Sequence, residues 1–149
     1  MELNYIVAST NLVPLYYIYH YKMNIHQILL MTLPMCASFI YHLSETKRGL
    51  IGLYPINQYS ELLLYIDRFF ALIAIITCLY KSINNNIDKH LIVYMIIGLF
   101  ALVISERDVI YENIDIYPNF SVNKYEFLCF HSLWHILAFK ILCSLVVPR

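Results

Sequence analysis

An all-α fold, a single integral membrane domain of about five spanning helices over 1–149, is what this sequence predicts, and three observations predict it. Hydrophobic residues make up 60% of the chain and charged residues only 13%, with a mean hydropathy of +0.62, outside the usual range of soluble domains. A soluble core built from 149 residues could not hide that much apolar surface, whereas a bilayer accepts spans of about 20 apolar residues directly. The apolar residues gather into five segments divided by polar punctuation. Aromatic residues crowd the segment ends, where amphipathic rings settle at headgroup level.

The first segment, 5–20 (YIVASTNLVPLYYIYH), is short, Tyr-rich and interrupted by Pro14, which a span tolerates where neighbouring helices satisfy the freed carbonyl. It lacks the basic flank and small-residue cleavage pattern of a signal peptide, so it is expected to stay attached as a spanning helix. The second, 26–43 (HQILLMTLPMCASFIYHL), runs into a loop marked by charges, two glycines and Pro55. The third, 61–80 (ELLLYIDRFFALIAIITCLY), ends at KSINNNIDK, and the fourth, 90–105, reads HLIVYMIIGLFALVIS. The acidic connection that follows, ERDVIYENIDIYPNFSVNKYE, is too polar to span, although its middle could form a short interfacial helix. Its tyrosines, Tyr111 to Tyr117, and the surrounding acids read as wet surface. The fifth segment, 127–147, carries FLCFHSLWHILAF.

Ten basic and ten acidic residues cancel, so no polyanionic partner such as nucleic acid is expected. The four cysteines (Cys36, Cys78, Cys129, Cys143) lie inside apolar segments and read as small core hydrophobes rather than a disulfide framework.

Ionisable and hydroxyl groups within the spans carry the chemistry, because each costs several kcal/mol in hydrocarbon and is kept mainly when partnered or functional. Ser38 and His42 stand four apart near the end of the second segment, Asp67 lies near the start of the third, and His131 and His135 stand four apart near the start of the fifth. Residues four apart share a helical face, about 6 Å along the axis. Consecutive spans alternate in direction, so the end of the second, the start of the third and the start of the fifth emerge on the same side. All five residues therefore lie at one depth.

Three imidazoles and a carboxylate at one level match a catalytic zinc site, with an open position for water. Zinc is favoured over copper or iron because no cysteine or methionine shares the cluster's faces. Such an ion lowers the pKa of water toward neutrality; Asp67 would orient that water or take its proton, and Ser38 would hydrogen-bond the water or the developing oxyanion. Taken singly the residues have plainer readings: a lone intramembrane histidine hydrogen-bonds a neighbour, serine packs in helix interfaces, and Asp67 beside Arg68 is an interfacial ion pair. The joint pattern from three segments favours the metal. His20, His26 and His90 sit at helix ends on the opposite side, where exposed imidazoles cost little. Cys129 falls on another face and reads as packing, Glu45 as a rim or loop carboxylate, and Tyr41 as an interface aromatic. Haem held between two histidines would require His42 to pair across the bundle, since His131 and His135 share one face.

SFIYH at 38–42 and HSLWH at 131–135, with Asp67 between them, resemble the S-x-x-x-H, Asp and H-x-x-x-H motifs of the CREST membrane hydrolase superfamily. That superfamily includes alkaline ceramidases, progestin and adipoQ receptors, GPI-lipid remodelling proteins and myomaker-like proteins. The resemblance implies zinc on His42, His131 and His135, with Asp67 and Ser38 around a metal-activated water. It also implies hydrolysis of a lipid amide or ester, ceramide-like first and phospholipid second. Members usually have seven spans, three of them between the Asp helix and the H-x-x-x-H helix; this chain has room for one there. Removing two consecutive helices preserves direction, so the pattern implies a shortened member whose acyl-chain wall could be completed by a homodimer or a partner subunit.

The expected function is thus a zinc-dependent intramembrane lipid hydrolase in an endomembrane or the plasma membrane. The alternative is a non-enzymatic membrane receptor or remodelling protein with a structural zinc site. Lys22, Lys81 and Lys89 lie in the short connections opposite the site, and by the positive-inside bias they turn the site toward the lumen or exterior.

Overall fold

The structure, a computed structural model, describes residues 3–47, 50–84, 88–107 and 123–147. Its elements are α1 (Leu3–Thr10), α2 (Val13–His20), α3 (Ile25–Ser44), a 3₁₀ turn at Ile56–Tyr59, α4 (Ser60–Asn84), α5 (Lys89–Ser105) and α6 (Lys124–Val146). The fold is all-α, with no strand among the described residues. α3, α6 and the stretch from the 3₁₀ turn through α4 are long and apolar enough to cross a membrane, while α5 is a shorter apolar helix. The acidic connection after α5, with its expected interfacial helix and Tyr111 to Tyr117, lies outside the described residues.

The first apolar segment is not one continuous helix. It divides at Asn11–Leu12 into two helices of 8 residues each, neither long enough to cross. Pro14 falls in the first turn of α2, where its missing N–H would have had no partner in any case. Ahead of the break, the Ser9 and Thr10 hydroxyls donate to the carbonyls of Ile6 and Val7 at 2.7 and 2.6 Å, the local bonding that competes with helix continuation.

Other helix starts are written in the sequence. Asn24 and Asn123 each accept from the first turn of their helix, and Gln27 and Glu126 reach back to close capping boxes on α3 and α6. Asp88 caps α5 through the His90 N–H. Gln27 Nε2 donates to the Val146 carbonyl at 2.7 Å, which levels the start of α3 with the end of α6. The far end of α3 therefore meets the start of α6, the geometry that alternating direction predicts.

Met31 and Met35 of α3 pack with Phe139, Leu142, Cys143 and Val146 of α6 to form the main core. α5 lies along α6, with Gly98 letting Trp134 and Leu137 approach. α4 leans on α3 and barely touches α5. No described α4 residue is fully buried, as suits a helix long and apolar enough to cross a membrane. All four cysteines are free, but the expectation that they sit in the core holds only for Cys143. Cys78 is half-buried, and Cys36 and Cys129 are exposed, because an outward thiol on an apolar helix costs nothing in hydrocarbon.

The chain leaving α3 folds back on that helix's end: Leu53 N–H donates to the Leu43 carbonyl at 2.7 Å, and Gly52 lies against it. A Cβ on Gly52 would collide with the Ser44 carbonyl oxygen and meet the Asn57 Cβ at 2.7 Å. Gly52→Ala is expected to destabilise the protein by about 1–3 kcal/mol through forced displacement of this loop, read as a lower thermal unfolding midpoint in detergent.

Candidate metal centre

α3 delivers Ser38 and His42 in its last turns, and α6 delivers His131 and His135 near its start. Both pairs are buried, with His42 only 1% exposed. The imidazole centroids lie 4.8 Å apart for His42 and His131, 4.9 Å for His42 and His135, and 4.6 Å for His131 and His135. One nitrogen from each of the three rings lies within 4.8 Å of the others. Nitrogens on one tetrahedral zinc keep about 3.3 Å between them, so small ring rotations would close the set.

Outer partners fix which nitrogen faces inward. His42 Nδ1 is 2.9 Å from a Glu45 carboxylate oxygen, and a carboxylate only accepts, so the imidazole donates there. The Thr10 hydroxyl spends its proton on the Val7 carbonyl and is left to accept from His135 Nδ1 at 3.2 Å. Ser105 repeats the arrangement, donating to the Leu102 carbonyl at 2.9 Å and facing His131 Nδ1 at 3.1 Å. A Glu106 oxygen lies 3.3 Å from the same nitrogen. With all three Nδ1–H groups engaged, each Nε2 keeps its lone pair for the shared space. This is the outer-shell pattern of ligating histidines. His42 Nε2 is buried and has no hydrogen-bond partner among the described residues, a state that costs about 1–3 kcal/mol unless something fills it. Three imidazoles with oriented lone pairs thus could hold a metal ion.

Ser38 Oγ is 3.4 Å from His135 Nε2 and also interacts with the Asp67 carboxylate. Asp67 stays outside the ligand group, but it lines the same cavity as Ser38, His131 and His135. This cavity, of about 780 Å³, opens between α3, α4, α5 and α6. Glu106, Lys47 and Arg68 line its polar end; Ala74, Cys78, Met95, Leu99, Ala138 and Leu142 line the rest. Phe127, 1% exposed, closes the centre from outside with its ring 4.7 Å from that of His131.

All five residues singled out in the sequence therefore meet at one end of the bundle. Of the two sequence readings of Glu45, the one that brings it to the site holds and the solvated loop carboxylate does not: its carboxylate sits on His42 Nδ1 and the residue is 1% exposed. Tyr41 is buried beside the same ring, 4.8 Å between centroids, and also lines the cavity. His20, His26 and His90 are exposed. Thr10, Ser105 and Glu106 escaped the sequence reading. Alternation of direction places the end of the fourth segment at the level of the histidines, so Ser105 and Glu106 were open to the same argument; Thr10 was hidden by the unforeseen break after it. No family model, curated protein or solved structure matches the chain.

Proposed function

We propose that the chain is a multi-pass membrane hydrolase that binds zinc through His42, His131 and His135 and cleaves a lipid amide or ester. The observation that carries this reading is the convergence of three buried, Nδ1-anchored imidazoles, two of which (His131 and His135) line the polar end of an apolar cavity, with no fourth side chain in the ligand group among the described residues. Structural zinc sites usually close with a fourth protein ligand, whereas catalytic ones leave a position open; this favours the enzyme over a receptor with a structural ion. The SFIYH, Asp67 and HSLWH resemblance to the CREST hydrolases points the same way.

Zinc held there would polarise a carbonyl and make water a competent nucleophile near neutral pH. The chain's own residues supply the remainder. Between His131 and Leu142 the cavity wall runs about 16 Å along α6, close to the roughly 15 Å of hydrocarbon in one leaflet, so an acyl chain lying in the slot brings its carbonyl to Ser38. The Ser38 hydroxyl, whose one proton rests on the Asp67 carboxylate, turns to that carbonyl oxygen as Asp67 is protonated and negative charge builds on the substrate. Asp67, beside Ser38, accepts a proton from the attacking water as the new C–O bond forms. It returns the proton to the leaving nitrogen or oxygen as the old bond breaks. A ceramide-like amide is the first candidate substrate and a phospholipid acyl ester the second.

Purified zinc-loaded protein incubated with ceramides and phospholipids in mixed micelles tests the reading. Free fatty acid should appear with one of these classes and cease on chelation. Absence of fatty acid release from every class at full zinc occupancy would refute it.

A further inference from the structure

Helix α1 carries no metal ligand, yet two of the three histidines are steadied from it. Thr10, the last residue of α1, receives the His135 Nδ1–H, and its hydroxyl is aimed by donation to the Val7 carbonyl one turn back. Asn4, near the other end of the helix, is 2% exposed and donates from Nδ2 to the Glu45 backbone carbonyl at 2.7 Å. Glu45 is the C-cap of α3 and holds His42 through its carboxylate. α1 packs on both ligand-bearing helices, α3 and α6, and breaks off immediately after Thr10.

We propose that α1 is a positioning helix for the metal centre, Thr10 fixing the ring of His135 directly and Asn4 fixing that of His42 through Glu45. The inference rests on the three-histidine site binding metal and is independent of whether the site hydrolyses lipid. A hydroxyl with its proton committed to a carbonyl accepts in a fixed direction, so it selects both the tautomer and the ring plane of the histidine that donates to it.

Zinc affinity of the purified full chain in detergent, measured by competition with a chromogenic chelator, tests it, with the visible spectrum of the cobalt(II)-substituted protein as second readout. Thr10→Val keeps the β-branched shape and removes the hydroxyl; it is expected to weaken zinc binding about 10–100-fold and to shift the cobalt bands. Thr10→Ser should restore both. Ser9→Ala removes the neighbouring hydroxyl, which is exposed and donates to the Ile6 carbonyl, and should leave affinity unchanged. Asn4→Leu should weaken binding in the wild-type background and add no further loss to Glu45→Ala, because the two act along one path. Wild-type affinity in Thr10→Val, failure of Thr10→Ser to rescue, or equal losses from Ser9→Ala would overturn the proposal. A chain that shows these effects but cleaves no lipid supports it while refuting the hydrolase. A wild-type chain that takes up no zinc overturns both.

Discussion

His42→Ala is expected to abolish metal binding and lipid cleavage together. The substitution removes the one imidazole contributed by α3, leaving two ligands on a single helix face; losing an outer-shell partner already costs roughly 10–100-fold in affinity or activity, and losing a ligand must exceed that. Metal analysis after dialysis should find stoichiometric zinc in the wild type and almost none in the variant. Thermal unfolding should separate them as well. At a free zinc concentration about 100 times Kd, linkage stabilises the wild type by about 2.7 kcal/mol, and the variant should not respond. His20→Ala, which removes an exposed imidazole on the far side of the bundle, is the matching control and should keep both metal and turnover. Zinc retained by His42→Ala would mean that the three rings do not share one ion.

The cluster was legible in the sequence because a chain of long apolar segments leaves few choices. Long apolar segments fix the helices, alternation fixes which ends are level, and every buried ionisable group then needs a reason. His42, His131 and His135 could be placed at one depth from those rules before any distance was known. The outer shell was less legible. Thr10 and Ser105 are hydroxyl residues of the kind that pack in many helix interfaces, and only the direction in which each spends its proton marks it as an acceptor for imidazole. The break at Asn11–Leu12 was also hidden: Pro14 reads equally well as a kink inside one helix or as the first turn of a new one. Burial of the cysteines failed for a different reason. Helices that are apolar all round carry no polar stripe to mark the outward face, so Cys129 and Cys143 look alike in sequence although one faces out and the other lies in the core.

Asp67→Asn separates a catalytic ion from a structural one. Asp67 belongs to the cavity wall but not to the ligand group, so the variant should bind zinc with unchanged stoichiometry. Asparagine keeps the size and can still hydrogen-bond Ser38, yet it cannot accept a proton from water or return one to a leaving group. Loss of that general acid–base function alone should lower kcat about 10²–10⁴-fold. KM should move little, because the apolar cavity wall farther along α4 and α6, the proposed acyl site, is untouched. Ser38→Ala should also slow the reaction without removing zinc, since it deletes one donor to the developing oxyanion, a change worth roughly 10²–10³-fold in kcat where such donors have been removed. Loss of zinc in Asp67→Asn would instead make Asp67 a fourth ligand, closing the position that hydrolysis requires and returning the protein to the receptor class.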